Sequence, residues 1–341
     1  MSPSTPSSAD RTPPVVDPLL AGNAGPATAA GPLAPERPIP TGKGALRIVL
    51  AMLRRDRFAT AAVIFLLLMI LCALLGPALL GEAATKQNLR GRNLAPFSLE
   101  HGWLMILGAD ALGRPLLARI VVAAQNTLMI AAGAVALSAT LGASLGLVAG
   151  YGPRWLGTAI MRLADVIMSF PSLLLAVIVL YMLSPSVGNV ILVLAVTRVP
   201  IYLRTTRAEV LEIKERMFVQ AAQVMGASAT RIVLRHILPM VIPTLVTIAT
   251  LDFAFVMLAE SALSFLGIGI QPPEITWGLM VAQGKQYLAN AWWLAFWPGL
   301  AIILTTLSLN LISGWLRIAL DPAQRWRLEI PRPRKSTGGR N

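Results

Sequence analysis

The chain of 341 residues is 55% hydrophobic and 13% charged, with a mean hydropathy of +0.67 and a formal net charge of +13. That balance is too apolar for an ordinary soluble domain and excludes a typical cytosolic enzyme. A single cysteine, Cys72, and two histidines exclude an intrachain disulfide and leave no Cys/His spacing suited to zinc or haem.

Residues 1–45 are rich in Pro, Ser, Ala and Gly, with ten prolines in the first forty positions. Such a segment has too little apolar surface to offset the entropy of ordering, so it reads as a disordered head. It contains no apolar h-region behind a basic start, so it is not a signal peptide and is expected to stay cytoplasmic.

A hydrocarbon core about 30 Å thick needs about 20 helical residues. Five apolar runs meet that length: 58–80, 121–151, 157–183, 240–269 and 291–317. The first lies in an N-terminal transmembrane segment, 46–81, and an extracytoplasmic loop, 82–119, follows. In the second run Gly142, Gly146 and Gly150 recur every four residues beyond Ser138, a stripe of small side chains that suits close helix packing better than a pore lining. The third run carries Arg162 and Asp165. A sixth run, 188–202, is interrupted by Arg198 and Pro200, and is needed partly because the basic segments alternate badly without it. The 240–269 run carries Asp252 and Glu260, an outer loop spans 271–290, and Trp292 and Trp293 open the last run as interfacial anchors. The tail, 321–341, is basic and suits anionic headgroups.

The expected architecture is therefore all-α: a polytopic membrane protein with about six transmembrane helices and both termini cytoplasmic. In that orientation twenty-two of the twenty-nine Lys and Arg residues lie inside. Six lie outside (Lys86, Arg90, Arg92, Arg114, Arg119, Lys285), and Arg198 sits in a span. Topology thus accounts for the basic charge without nucleic acid.

A charge at the centre of a span costs about 2.5–3.5 kcal/mol on insertion scales, so Arg198, Asp252 and Glu260 should face protein or a watery cavity. Two readings stand. Arg198 lines a translocation path and attracts a substrate carboxylate, balanced by Asp252 or Glu260; or it is held in a structural ion pair, or snorkels.

The inner loop, 204–239, carries V-Q-A-A-Q-V-M-G-A-S-A-T-R-I-V-L-R-H-I-L-P from Val219 to Pro239. This reads as a short helix with a small-residue face at Ala221 and Ala222, ended by Gly226 in a left-handed conformation. Ser228 caps a second helix, Arg231 and Arg235 stay at the inner boundary, and Pro239 bends the start of the fifth span. The apolar face of Val219, Ala222, Met225 and Gly226 is too slight for firm lipid binding, so docking into a partner is expected. No GxxxxGK[ST] occurs, so nucleotide energy must come from another chain.

This loop resembles the EAA loop of ABC importer membrane subunits. Ala221, Ala222, Gly226, Ile237, Leu238 and Pro239 match, and Gln220 stands where the pattern has Glu. Further segments resemble the dipeptide, oligopeptide and nickel permease family, specifically its C-type subunit: G-A-D-A-L-G-R-P-L-L-A-R from Gly108, R-L-A-D from Arg162 with F-P-S-L-L-L-A from Phe170, E-S-A-L-S-F-L-G-I-G-I-Q-P-P from Glu260, and W-W-L-A-F-W-P-G-L-A-I from Trp292. The likeness covers about residues 45 to 323.

The resemblance implies a type I ABC importer transmembrane fold, with a permease domain over 120–320, in the bacterial cytoplasmic (inner) membrane. It implies a non-catalytic subunit whose coupling residues are Gln220, Ala221, Ala222, Gly226, Arg231 and Pro239. The implied partners are a homologous second permease, two ABC ATPase subunits and an extracytoplasmic substrate-binding protein, besides membrane lipid. ATP and Mg would sit on the ATPases, with no cofactor or metal on this chain. The cargo expected is a peptide or a peptide-like solute, with a nickel chelate or other small solute as the alternative. A self-sufficient secondary transporter or channel, or a membrane scaffold, rank below these.

Overall fold

The computed structural model describes residues 52–320. The expected disordered head and basic tail lie outside the described residues. Among the described residues no strand forms, and Ala109 and Pro115 make one isolated bridge.

The first long helix, α1 (Arg57–Thr85), starts where Asp56 accepts hydrogen bonds from the Phe58 and Ala59 amides at 3.0 and 3.2 Å. Its small residues, Ala59, Ala62, Ala73, Gly76 and Ala84, are buried, while Ile64, Leu67, Leu71, Leu74 and Leu79 are exposed. In water this arrangement would be inverted. In lipid the leucines lose nothing by facing outward, and the small face allows a close approach to the next helix.

That neighbour, α2 (Leu116–Tyr151), packs against α5 (Val187–Ile213) through the glycine stripe. A Cβ at Gly142 would lie 2.5 Å from Tyr202 Cβ, one at Gly146 2.5 Å from Thr206 Cβ, and one at Gly150 2.7 Å from Val210 Cβ. Only hydrogen fits at these crossings. The pairs advance together along both chains, so α2 and α5 run parallel.

Parallel neighbours require the chain between them to recross the membrane. It does so in two pieces, α3 (Arg154–Met168) and α4 (Ser172–Met182), bent by 85°. The run 157–183 reads in sequence as one span; the structure breaks it at Pro171. Proline lacks an amide proton, and its ring pushes Phe170 out of the helical region. The bent pair is thus a broken crossing, and with the five long helices it makes six.

The short helices α6 (Met217–Val224) and α7 (Ala229–Ile232) follow, then a π turn at Val233–Ile237 and α8 (Leu238–Phe265). Pro239 cannot donate to the Arg235 carbonyl, and the widened π turn accommodates its ring. From Ala229 to Phe265 the helix runs as one long candidate span.

The segment 271–290, expected as an outer loop, is not merely a loop. It contains α9 (Trp277–Lys285), fastened to α2 where the Trp277 amide donates to Thr127 Oγ1 at 3.1 Å and its indole donates to the Ile120 carbonyl at 2.9 Å. The last helix is α10 (Trp293–Leu320). Of the two tryptophans expected as interfacial anchors, Trp292 is exposed; Trp293 is buried, its indole nitrogen 2.9 Å from where a Cβ at Gly108 would sit. At the other end Trp315 and Ala319 pack with Met52 and Ala59, so the first and last described residues share a face.

Candidate functional site

Three places carry the polar and exposed features of the bundle. The first is the loop joining α5 to α8. Val219 and Ala222 of α6 are 0% and 4% exposed and share an apolar cluster with Val210 and Ile213 from the end of α5, Ile232 of α7, Ile237 of the π turn and Val241 from the start of α8. The helix ends in a tight reversal: the Gly226 amide donates to the Gln223 carbonyl at 2.9 Å and the Ala227 amide to the Ala222 carbonyl at 3.0 Å. Gly226 has φ +79°, where a side chain is strained. Ser228 Oγ then accepts from the Arg231 amide at 3.4 Å.

The six sequence-named residues divide. Gln220, Ala221, Gly226, Arg231 and Pro239 are exposed, while Ala222 is turned into its own bundle. Ala222 and Val219 anchor the helix; they do not form its outer face. That outer face includes three residues the sequence reading passed over or assigned elsewhere: Met217, Val224 and Met225, at 86%, 89% and 80% exposure. Their signal was present as the complement of the buried i, i+3 pair Val219 and Ala222. The exposed surface is apolar and adaptable, with methionine at two of its positions.

The second place is inside the membrane. An Arg198 guanidinium nitrogen of α5 donates to the Asp252 carboxylate of α8, and the same guanidinium lies over the Phe255 ring, 4.1 Å from its centroid. Arg198 also lines a cleft of about 230 Å³ at the α3–α4 bend, with Met168, Phe170, Ser172, Thr197 and Ile201. Glu260 is not part of this pair. It lies two turns further along α8, roughly 12 Å at 1.5 Å per residue. There it is wholly buried and accepts from Ser264 Oγ at 2.8 Å, while that hydroxyl accepts from the Ile270 amide at 3.2 Å. Glu260 thus braces the turn after α8. A second ion pair, unforeseen from sequence, joins Arg204 of α5 to Asp165 of α3, with both side chains about half exposed.

The third place is on the opposite face from α6, where Asp110, Arg114 and Arg119 meet. Among the described residues no group of three or more His, Cys, Asp or Glu side chains is arranged to hold a metal.

Comparison with known proteins gives two family matches. Residues 142–326 match the binding-protein-dependent transport system inner membrane component, and residues 44–96 match the N-terminal TM domain of oligopeptide transport permease C. The chain is 40% identical to the di/tripeptide transport system permease protein DppC of Pseudomonas aeruginosa, over 78% of this chain and 88% of that one. It is 34% identical to the probable D,D-dipeptide transport system permease protein DdpC of Escherichia coli K12, over 80% and 89% respectively. It is 37% identical to the glutathione transport system permease protein GsiD of another Escherichia coli strain, over 79% and 88%.

Proposed function

Because the chain belongs to the family of binding-protein-dependent transport system inner membrane components, we propose that it is the membrane-spanning permease of an ATP-driven importer that moves peptides or a peptide-like solute. The relatives named above are permeases for di- and tripeptides, D,D-dipeptides and glutathione, all amide-linked small molecules, and that shared chemistry supports a peptide cargo.

In this reading the chain pairs with a homologous permease, receives cargo from an extracytoplasmic binding protein and is driven by two ATPase subunits. Those subunits hold ATP and Mg, and this chain contributes binding and motion, with no catalytic residue and no cofactor of its own. The α6 face of Met217, Gln220, Ala221, Val224 and Met225 enters a recess on an ATPase. Gly226 and Ser228 hold the reversal that keeps the face presented, and Arg231 and Pro239 flank it.

The observation that carries the proposal is the burial of Val219 and Ala222 of α6 in one apolar cluster with Val210 and Ile213 at the end of α5 and with Ile232, Ile237 and Val241 on the way into α8. A push on α6 therefore reaches both helices at once. These same two helices hold Arg198 and Asp252, so displacement of one against the other alters the membrane ion pair and the cleft beside it. Arg198 then presents a positive charge to the translocation path, where a peptide carboxylate is attracted. Nucleotide-driven switching requires two states that differ in their contacts, and this ion pair and its cleft are contacts that such a displacement would change. Reconstitution of the full assembly in proteoliposomes tests this: ATP-dependent accumulation of labelled dipeptide is expected, and accumulation without any ATPase subunit would overturn it.

A further inference from the structure

The face opposite α6 holds a cavity of about 260 Å³ between the Asp110–Arg114 turn, the start of α2, and α9. Its walls include Ala111, Arg114, Arg119, Gln283, Gln286 and Tyr287. Asp110 is saturated. It accepts from the Leu112 and Arg114 amides at 2.9 and 2.8 Å, from Arg114 Nε at 2.7 Å and from Arg119 Nη1 at 2.6 Å, and Arg114 Nη2 lies 2.7 Å from it in the ion pair. Arg119 Nη2 donates onward to Gln283 Oε1 at 3.1 Å.

One carboxylate thus lies between two guanidinium groups. Among the described residues neither arginine has a second acidic partner, and Arg119 Nε, on a side chain only 4% exposed, has no hydrogen-bond acceptor. The cluster keeps a surplus positive charge at the wall of a concave, partly desolvated site, where fields are focused and an anion is drawn in. Guanidinium groups present a planar fork of N–H donors that matches carboxylate and phosphate oxygens, and of the two the singly charged carboxylate balances a cluster with one surplus positive charge. The volume is below that of a whole small-molecule pocket, so it suits the end of a chain rather than an entire peptide. We infer that this outer cavity binds a carboxylate at the end of a short chain, with Arg114 at its mouth and Arg119 fixed behind by Asp110 and Gln283. The site itself does not depend on the importer reading; the source of the carboxylate does, being either the cargo's C-terminus or an acidic side chain of the delivering protein.

The test is a titration of ¹³C-acetate, followed by line broadening, against the assembled transporter in nanodiscs. Wild type should bind saturably, and Arg114→Gln should weaken binding about tenfold or more. Ala111→Phe fills the cavity without touching the ion pairs and should do the same if Arg114→Gln fails to fold. Absence of saturable binding in wild type, or wild-type binding in Ala111→Phe, overturns the inference. The source is read from uptake in the Ala111→Phe variant. Loss confined to free-acid dipeptides assigns the cargo, and equal loss for their C-terminal amides assigns the delivering protein. Uptake unchanged for both would contradict a role for the site in transport. Failure of wild type to import any peptide would sink the importer reading and leave the acetate result standing.

Discussion

Arg198 of α5 and Asp252 of α8 form an ion pair, and each belongs to a helix with a residue in the apolar cluster that buries α6. Both side chains are largely buried, at 15% and 5% exposure. Removing one partner strands the other charge, whereas removing both does not.

Asp252→Leu alone should therefore destabilise the protein by about 3–5 kcal/mol, while the double variant Arg198→Leu with Asp252→Leu should recover most of that loss. Thermal unfolding in one detergent measures both. Equal midpoints for single and wild-type proteins would show that the pair is worth little to the fold.

Arg198→Ala separates the two sequence readings of that residue. Attraction of a carboxylate predicts lower uptake of free-acid dipeptides, by about tenfold, with little change for C-terminal amides. Equal uptake of the free acid before and after substitution would leave Arg198 a purely structural partner.

Gly226→Val puts a β-branched side chain at φ +79°, at a cost of about 1–2 kcal/mol or more. The space around Gly226 is open, so the penalty is conformational rather than steric. The reversal after α6 should shift, and ATP hydrolysis should continue while uptake falls. Parallel assays of phosphate release and peptide accumulation read this, and wild-type accumulation would count against the loop's role.

Gly146→Leu should prevent correct packing of α2 on α5, because even its Cβ would meet Thr206 Cβ at 2.5 Å and the Leu203 carbonyl at 2.8 Å. Gly81→Ala, with nothing within 4 Å, is the control. Membrane yield and monodispersity in detergent should fall for the first and hold for the second.

The crossings were legible in the sequence because lipid imposes long uncharged runs. Even the tight approach of α2 to α5 showed as Ser138, Gly142, Gly146 and Gly150. Pro171 was present as a break signal, yet run length alone hid the 85° bend it produces. Which acid balances Arg198 was a question of depth. Arg198 lies eleven residues from the first residue of α5, Asp252 thirteen from the last residue of α8 and Glu260 only five, and those ends become known only once the helices are placed. Likewise the outward face of α6 depended on which side its own bundle claims. Val219 and Ala222 are small and apolar like the residues expected to dock, and only packing shows that they turn inward.

In the proposed coupling α6 receives force from an ATPase subunit through its exposed face. A photo-crosslinking residue placed at Val224, and separately at Leu192 on the exposed membrane side of α5, tests it in the assembled transporter during ATP turnover. Val224 should capture the ATPase and Leu192 should not; import proceeding normally while Val224 captures only lipid or nothing would rule this coupling out.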